Sequence, residues 1–159
     1  MTSTDSAHTT TASNDQKSSG GLLRFVGVLG IIGGILMMVA GVTGWVAVSN
    51  QLSSEQITVA EDAAFLPGMP VADPFTAYAQ ADVIKQHALE ASDGATYAEL
   101  DREDPVRVTV MTASFLRASL FTSIVSFGVA AFAMGTGLLF VLFGWAVITL
   151  APRTSRDTA

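Results

Sequence analysis

The sequence predicts an all-α membrane protein: a two-helix transmembrane hairpin with a small, mostly helical module between the spans. Three observations carry this. From Ala118 to Leu150 no side chain is charged, a run of 33 residues, where a helix needs about 20 to cross a bilayer. A second uncharged run covers Phe25 to Val48. Between the two lie Asp73-Pro74 and Asp104-Pro105, each a helix-start signal: a carboxylate N-cap followed by proline at the first helical position.

The boundaries follow from these features. Residues 1–21 read as a Ser/Thr-rich disordered tail, 22–49 as the first span and 50–116 as an acidic module. Residues 117–150 read as the second span and 151–159 as a second tail. Ten of the first twenty residues are Ser or Thr, and none is Ile, Leu, Val, Phe, Tyr or Trp. Such a segment has little apolar surface to offset the entropy of ordering. The first apolar run exceeds the roughly 7–15 residues of a signal-peptide core, and no A-x-A site lies close behind it, so a retained anchor is expected.

Gly27, Gly34 and Gly41 recur every seven residues in the first span. Gly30 and Gly44 fall on the same helical face, and Gly30 with Gly34 makes a G-x-x-x-G. Small residues let helices approach closely in lipid, where packing drives association. The second span has a matching stripe: Ser119, Ser123, Ser126, Ala130, Ala133, Gly137 and Gly144. The two stripes predict spans packed seam to seam, with the alternative that a seam faces another membrane protein or a second copy of the chain.

Within the module, Ile57-Thr58-Val59 suits a short extended piece, and Pro67-Gly68-Met69-Pro70 a turn. A helix from Asp73-Pro74 should run to about Ser92, with Tyr78, Ala81, Ile84, Ala88 and Ala91 on one face. Gly94 suits a left-handed C′ residue, and Thr96 to Glu99 a capping box for a short helix. From Pro105 no breaker occurs until Pro152. The last helix should therefore begin near residue 105, its first part standing outside the membrane.

Basic residues flanking the spans set orientation. Lys17 and Arg24 precede the first span, and Arg153 and Arg156 follow the second. The connecting region, 49–116, holds eleven acidic residues against Lys85, Arg102 and Arg107. Both termini are expected in the cytoplasm and the module outside the plasma (inner) membrane. Trp45 and Trp145 are expected near the outer and inner interfaces.

The residues also limit the chemistry. Net charge is −6, which argues against nucleic acid as a partner. There is no cysteine, so no disulfide framework and no thiolate chemistry. Neither uncharged run contains the ionisable group that proton relays and ion paths usually need. His8 and His87 are the two histidines; no nucleotide, zinc-protease or nucleophile-elbow motif is present. His87 with Glu90 reads as a surface pair. Asp101, Arg102, Glu103 and Asp104 read as a solvated cluster without the spacing of a calcium loop. No catalytic residue, cofactor or metal is expected.

Pro74-Phe-Thr-Ala-Tyr-Ala-Gln-Ala-Asp82, Thr96-Tyr-Ala-Glu-Leu-Asp101, and Asp104-Pro-Val-Arg107 leading into Ala113-Ser-Phe-Leu-Arg-Ala-Ser-Leu-Phe121 resemble a family of small two-span actinobacterial membrane proteins. The resemblance covers about residues 22–150. Some members are labelled aromatic ring-opening dioxygenases of the protocatechuate type. That activity implies iron held by two histidines and a carboxylate, and this chain has one histidine outside the N-terminal tail. The family supplies no catalytic residues to carry over. The expectation is a non-enzymatic membrane protein acting as an accessory or interaction subunit of an envelope complex. Self-association in the envelope is a further alternative.

Overall fold

The computed structural model describes residues 12–151, with side chains from Gly20 onward. The described residues form three α-helices: α1 over Ala12–Ser54, α2 over Pro74–Ala91 and α3 over Arg107–Leu150. They contain no strand longer than an isolated bridge. The all-helical class is as the sequence predicts.

α1 and α3 are long and apolar enough to cross a membrane. α3 has 44 residues, about 66 Å at 1.5 Å per residue, against a hydrocarbon core of ~30 Å. Only 17% of each helix's most apolar window is buried within the protein. A core helix of a soluble domain would bury most of it.

Three boundaries differ from the sequence reading. Residues 12–21, expected as disordered tail, are helical; residues 1–11 of that tail lie outside the described residues. α1 also runs on through Asn50 to Ser54, which the sequence assigns to the module. Helix propagation costs little once a long apolar segment has nucleated it, so the helix outlasts its apolar run at both ends. At the start of α3, Asp104 Oδ1 accepts from the Val106 N–H at 2.8 Å and the Arg107 N–H bonds the Asp104 carbonyl. The Asp-Pro start operates, with a tight first turn before the regular helix.

α2 begins and ends as a capped element. Asp73 Oδ1 accepts from the N–H groups of Phe75 and Thr76, and Thr76 Oγ1 accepts from the Asp73 N–H. This is a complete capping box, with Pro74 pre-set for the first turn. At the other end the Gly94 N–H bonds the Leu89 carbonyl, and the Asp93 N–H that of Glu90. Asp93, at φ 51°, holds the left-handed C′ position expected of Gly94, which follows it at φ 87°. Thr96 to Glu99 closes a single turn and not a helix. Glu99 accepts from the Thr96 N–H, but with no apolar run behind it the turn does not propagate.

The chain divides into two compact units: residues up to Val39 with those from Ala133 onward, and Ala40–Phe132. In the first, α1 and α3 pack directly. Gly27 lies against Gly144, and Gly34 against Gly137. As numbers rise along α1 they fall along α3, so the two helices are antiparallel there.

The second unit holds a hydrophobic core. Leu52 of α1, Leu120 and Phe127 of α3, and Ala77, Ala79 and Ala81 of α2 meet Val59 and Val71 from the loop between α1 and α2. Thr58 pairs with Pro70 in an antiparallel bridge. The hydrogen bonds flank this pair, from the Val59 N–H to the Met69 carbonyl and from the Val71 N–H to the Ile57 carbonyl. Pro70, which has no N–H, thus sits where the ladder asks for none.

α2 buries the middle of the expected face but not its two ends. Tyr78 is 54% exposed, and Ala91 is exposed too. The buried stripe is Ala77, Ala81 and Ala88, with Ile84 half-buried beside it. Thr76, Ala79 and Val83 form a second buried stripe. Two buried faces arise because α2 lies between the Ile57–Val71 loop and the long helices. Alanine at both contacts lets it approach closely. Gln80 ties the loop down: its Oε1 accepts from the Ala60 N–H at 3.0 Å.

Candidate functional site

Two features of the described residues are built for contact: the small-residue seam and a groove beside α2.

In the first unit the seam is a glycine-on-glycine crossing. A Cβ added to Gly34 would stand 2.5 Å from the Gly137 carbonyl oxygen; one added to Gly144 would stand 2.5 Å from that of Gly27. Real Cβ atoms do not approach so closely, so only glycine fits. Gly30 is looser: a Cβ there would touch Gly144 Cα and the Phe140 carbonyl at an ordinary 3.7 Å. Ala133 is half-buried.

In the second unit Gly41 is buried, and a Cβ on Gly44 would meet Ala130 at 3.8 Å. Ala130 is buried, Ser123 and Ser126 are half-buried, and Ser119 is exposed. Large side chains also meet here: Trp45 of α1 packs edge-on against Phe127 of α3, with centroids 4.7 Å apart and planes at 60°. Leu120 is buried beside them. The helix face turns toward Leu120 and Phe127 here because the module supplies a hydrophobic core that small residues would leave unfilled. Trp45, expected at a membrane interface, packs against that core. Trp145 is 63% exposed.

Other glycines lie away from the seam. Gly33, Gly128 and Gly135 have nothing within 4 Å of a would-be Cβ. Gly128, Ala131 and Gly135 share one exposed face of α3.

The groove has two adjoining clefts, both in the second unit. One, the upper cleft, of about 410 Å³, lies between α2 (Ile84, His87, Ala88) and the first part of α3 (Val108, Thr109, Thr112, Ala113, Leu116). The other, the lower cleft, of about 470 Å³, is bounded by Leu52 and Glu55 at the end of α1, by Gln80 and Ile84, and by Leu116, Ser119, Leu120 and Ser123. Ile84 and Leu116 belong to both.

His87 stands at the rim of the upper cleft. Its Nε2 lies 2.6 Å from Asp62 Oδ2, and not on Glu90 as the helix spacing suggests. The short hydrogen bond to Asp62 holds the imidazole pKa above its ordinary value, with the carboxylate charge adding to it. The same hydrogen bond lowers Asp62. Both side chains are well exposed. Asp62 lies 25 residues before His87 on an irregular loop, so no periodicity in the sequence could have paired them.

The segment before α3 is held by Arg107. Its guanidinium lies 4.1 Å from the centroid of the Tyr97 ring. It donates to the carbonyls of Tyr97, at 3.3 Å, and of Leu100. Glu99 is lowered by its hydrogen bonds from the Thr96 backbone and hydroxyl. Asp101, Arg102, Glu103 and Asp104 surround an open, shallow depression. Among the described residues no three His, Asp or Glu side chains are grouped to hold a metal ion.

No family model, curated protein or solved structure matches this chain.

Proposed function

We propose that the protein is a non-enzymatic integral membrane protein of the plasma membrane. Both termini lie in the cytoplasm and the acidic module outside, and the module with the outer faces of α3 engages another envelope membrane protein. The observation that carries this reading is a division of labour among the glycines. Gly27, Gly34, Gly137 and Gly144 are consumed by the contact between α1 and α3. Gly128 and Gly135, seven residues apart, stay open on another face. A protein whose glycine seam only joined its own two helices would have no need of that second face, while a partner helix could approach there. Phe75, 68% exposed, and Tyr78 add apolar surface on the module.

The test is purification of the full chain from its native membrane in mild detergent, followed by a native gel and mass spectrometry. A second protein at fixed stoichiometry, lost on Gly135→Leu, supports an accessory subunit. A homo-oligomer lost on the same substitution assigns the face to a second copy. A monomer with no associated protein overturns the proposal.

A further inference from the structure

We propose that the groove between α2 and α3 binds a single acyl chain of a membrane lipid that carries no net negative charge. This rests on the membrane reading above. The two clefts share Ile84 and Leu116, so they adjoin along one wall of α2 and α3. α3 lines both from Val108 to Ser123. Fifteen steps at 1.5 Å make that wall about 22 Å long. An acyl chain reaches about 15 Å, half of a ~30 Å hydrocarbon core, and fits within it.

The chemistry of the walls narrows the ligand. Leu52, Ile84, Val108, Leu116 and Leu120 supply aliphatic surface. No Lys or Arg lines either cleft, and the ionisable groups are His87 at one end and Glu55 at the other. A head with net negative charge would find no fixed positive charge there and would meet Glu55 on the way in. Threonines 109 and 112 offer hydroxyls near the far end, where a neutral polar head can be hydrogen-bonded. The lower cleft is lined in part by Ser119 and Ser123, which belong to the uncharged run of α3. A chain can thus enter from the outer leaflet without crossing water, the feature that favours a lipid over a peptide. Volumes of about 410 and 470 Å³ fall in the range of small-molecule sites.

The chain has no cysteine, so single-cysteine variants carry one fluorophore each. The full protein would be placed in phosphatidylcholine vesicles whose acyl chains are brominated. Labels would sit at Ala113 in the upper cleft, at Leu142 in the span and at Glu103 on the acidic loop. Quenching at Ala113 as strong as at Leu142, with none at Glu103, is the expected result. Filling the cleft with Thr112→Phe should then return Ala113 to the Glu103 level. If Leu142 is quenched and Ala113 is not, the groove holds no acyl chain and the proposal fails while the membrane reading stands. Quenching at Ala113 that survives Thr112→Phe also overturns it, because the quencher is then outside the groove. If Leu142 itself is unquenched, the membrane reading fails and the lipid site with it. Brominated phosphatidylglycerol should quench Ala113 less than phosphatidylcholine does; equal quenching removes the charge selectivity.

Discussion

Gly34 and Gly137 face each other so closely that a Cβ on either would stand 2.5 Å from the carbonyl oxygen of the other. The relation is reciprocal and involves backbone, which cannot rotate aside. Gly34→Ala should lower stability by about 1–3 kcal/mol, the usual cost of overpacking a tight contact. Gly33→Ala is the control. Its Cβ meets nothing, and alanine is the better helix former. Thermal unfolding of the two variants in one detergent separates them. Equal midpoints would refute the glycine crossing.

The core of the second unit depends on one aromatic pair. Phe127 is 1% exposed and packs edge-on against Trp45. Phe127→Ala should cost about 3–5 kcal/mol, combining lost transfer energy with the cavity left behind. Trp45 fluorescence should shift as its neighbour disappears. An unchanged spectrum and melting midpoint would mean that the pair does not form.

Gln56 terminates α1 with φ at 53°, a left-handed conformation that L side chains adopt at a cost. Relief of about 1–2 kcal/mol is available to glycine, less the entropy glycine loses on folding, roughly 0.5–1 kcal/mol. Gln56→Gly should therefore raise the melting midpoint slightly. Leu66 has the same φ, yet its side chain packs against the core. Leu66 is half-buried, so losing its side chain forfeits part of the about 1.5–3 kcal/mol of a fully buried leucine and offsets that relief. A smaller midpoint gain for Leu66→Gly than for Gln56→Gly is the expected result in a pair of thermal melts.

The His87–Asp62 pair predicts a pH dependence of definite sign. The folded His87 pKa is raised above 6.5. Its contribution is complete below 6.5 and is lost as pH rises through the higher folded value. The folded Asp62 pKa is lowered below 3.8, so its contribution is present above 3.8 and is lost as pH falls through that lower value. The pair is strongest from mildly acidic pH up to the His87 pKa. The His87 imidazole resonances should titrate at higher pH in the native protein than in Asp62→Asn. An identical titration would show that the contact is absent in solution.

Much of the architecture is written in residue order because it is local. The uncharged run from Ala118 to Leu150 and the Asp-Pro starts at Asp73 and Asp104 act through backbone capping and through the cost of burying charge. Neither needs a distant partner to be read. The glycine face of α1 is legible for the same reason: Gly27, Gly34 and Gly41 recur with the helix period, and all three are buried. The extent of α1 was not legible, since helix continues past its apolar run where no breaker stops it.

Matters that rest on non-local contacts had to come from the folded chain. The 3.6-residue pattern of α2 is compatible with more than one buried face, because alanine sits on several. Packing against Val59, Val71 and Phe127 selects the Ala77 and Ala81 side and leaves Tyr78 out. The α3 stripe was read as small residues from Ser119 to Gly144. Within the second unit the core fills that helix face with Leu120 and Phe127 and leaves Ser119 exposed. His87 found Asp62 across an irregular loop, and the groove took its walls from the end of α1, from α2 and from α3. Sequence alone determined the three helices, the cap that starts α2 and the apolar length of the two long ones, because hydropathy and capping are carried by neighbouring residues. Tertiary structure decided which faces meet, where only glycine fits and what the groove is lined with, because those depend on distances between residues far apart in the chain.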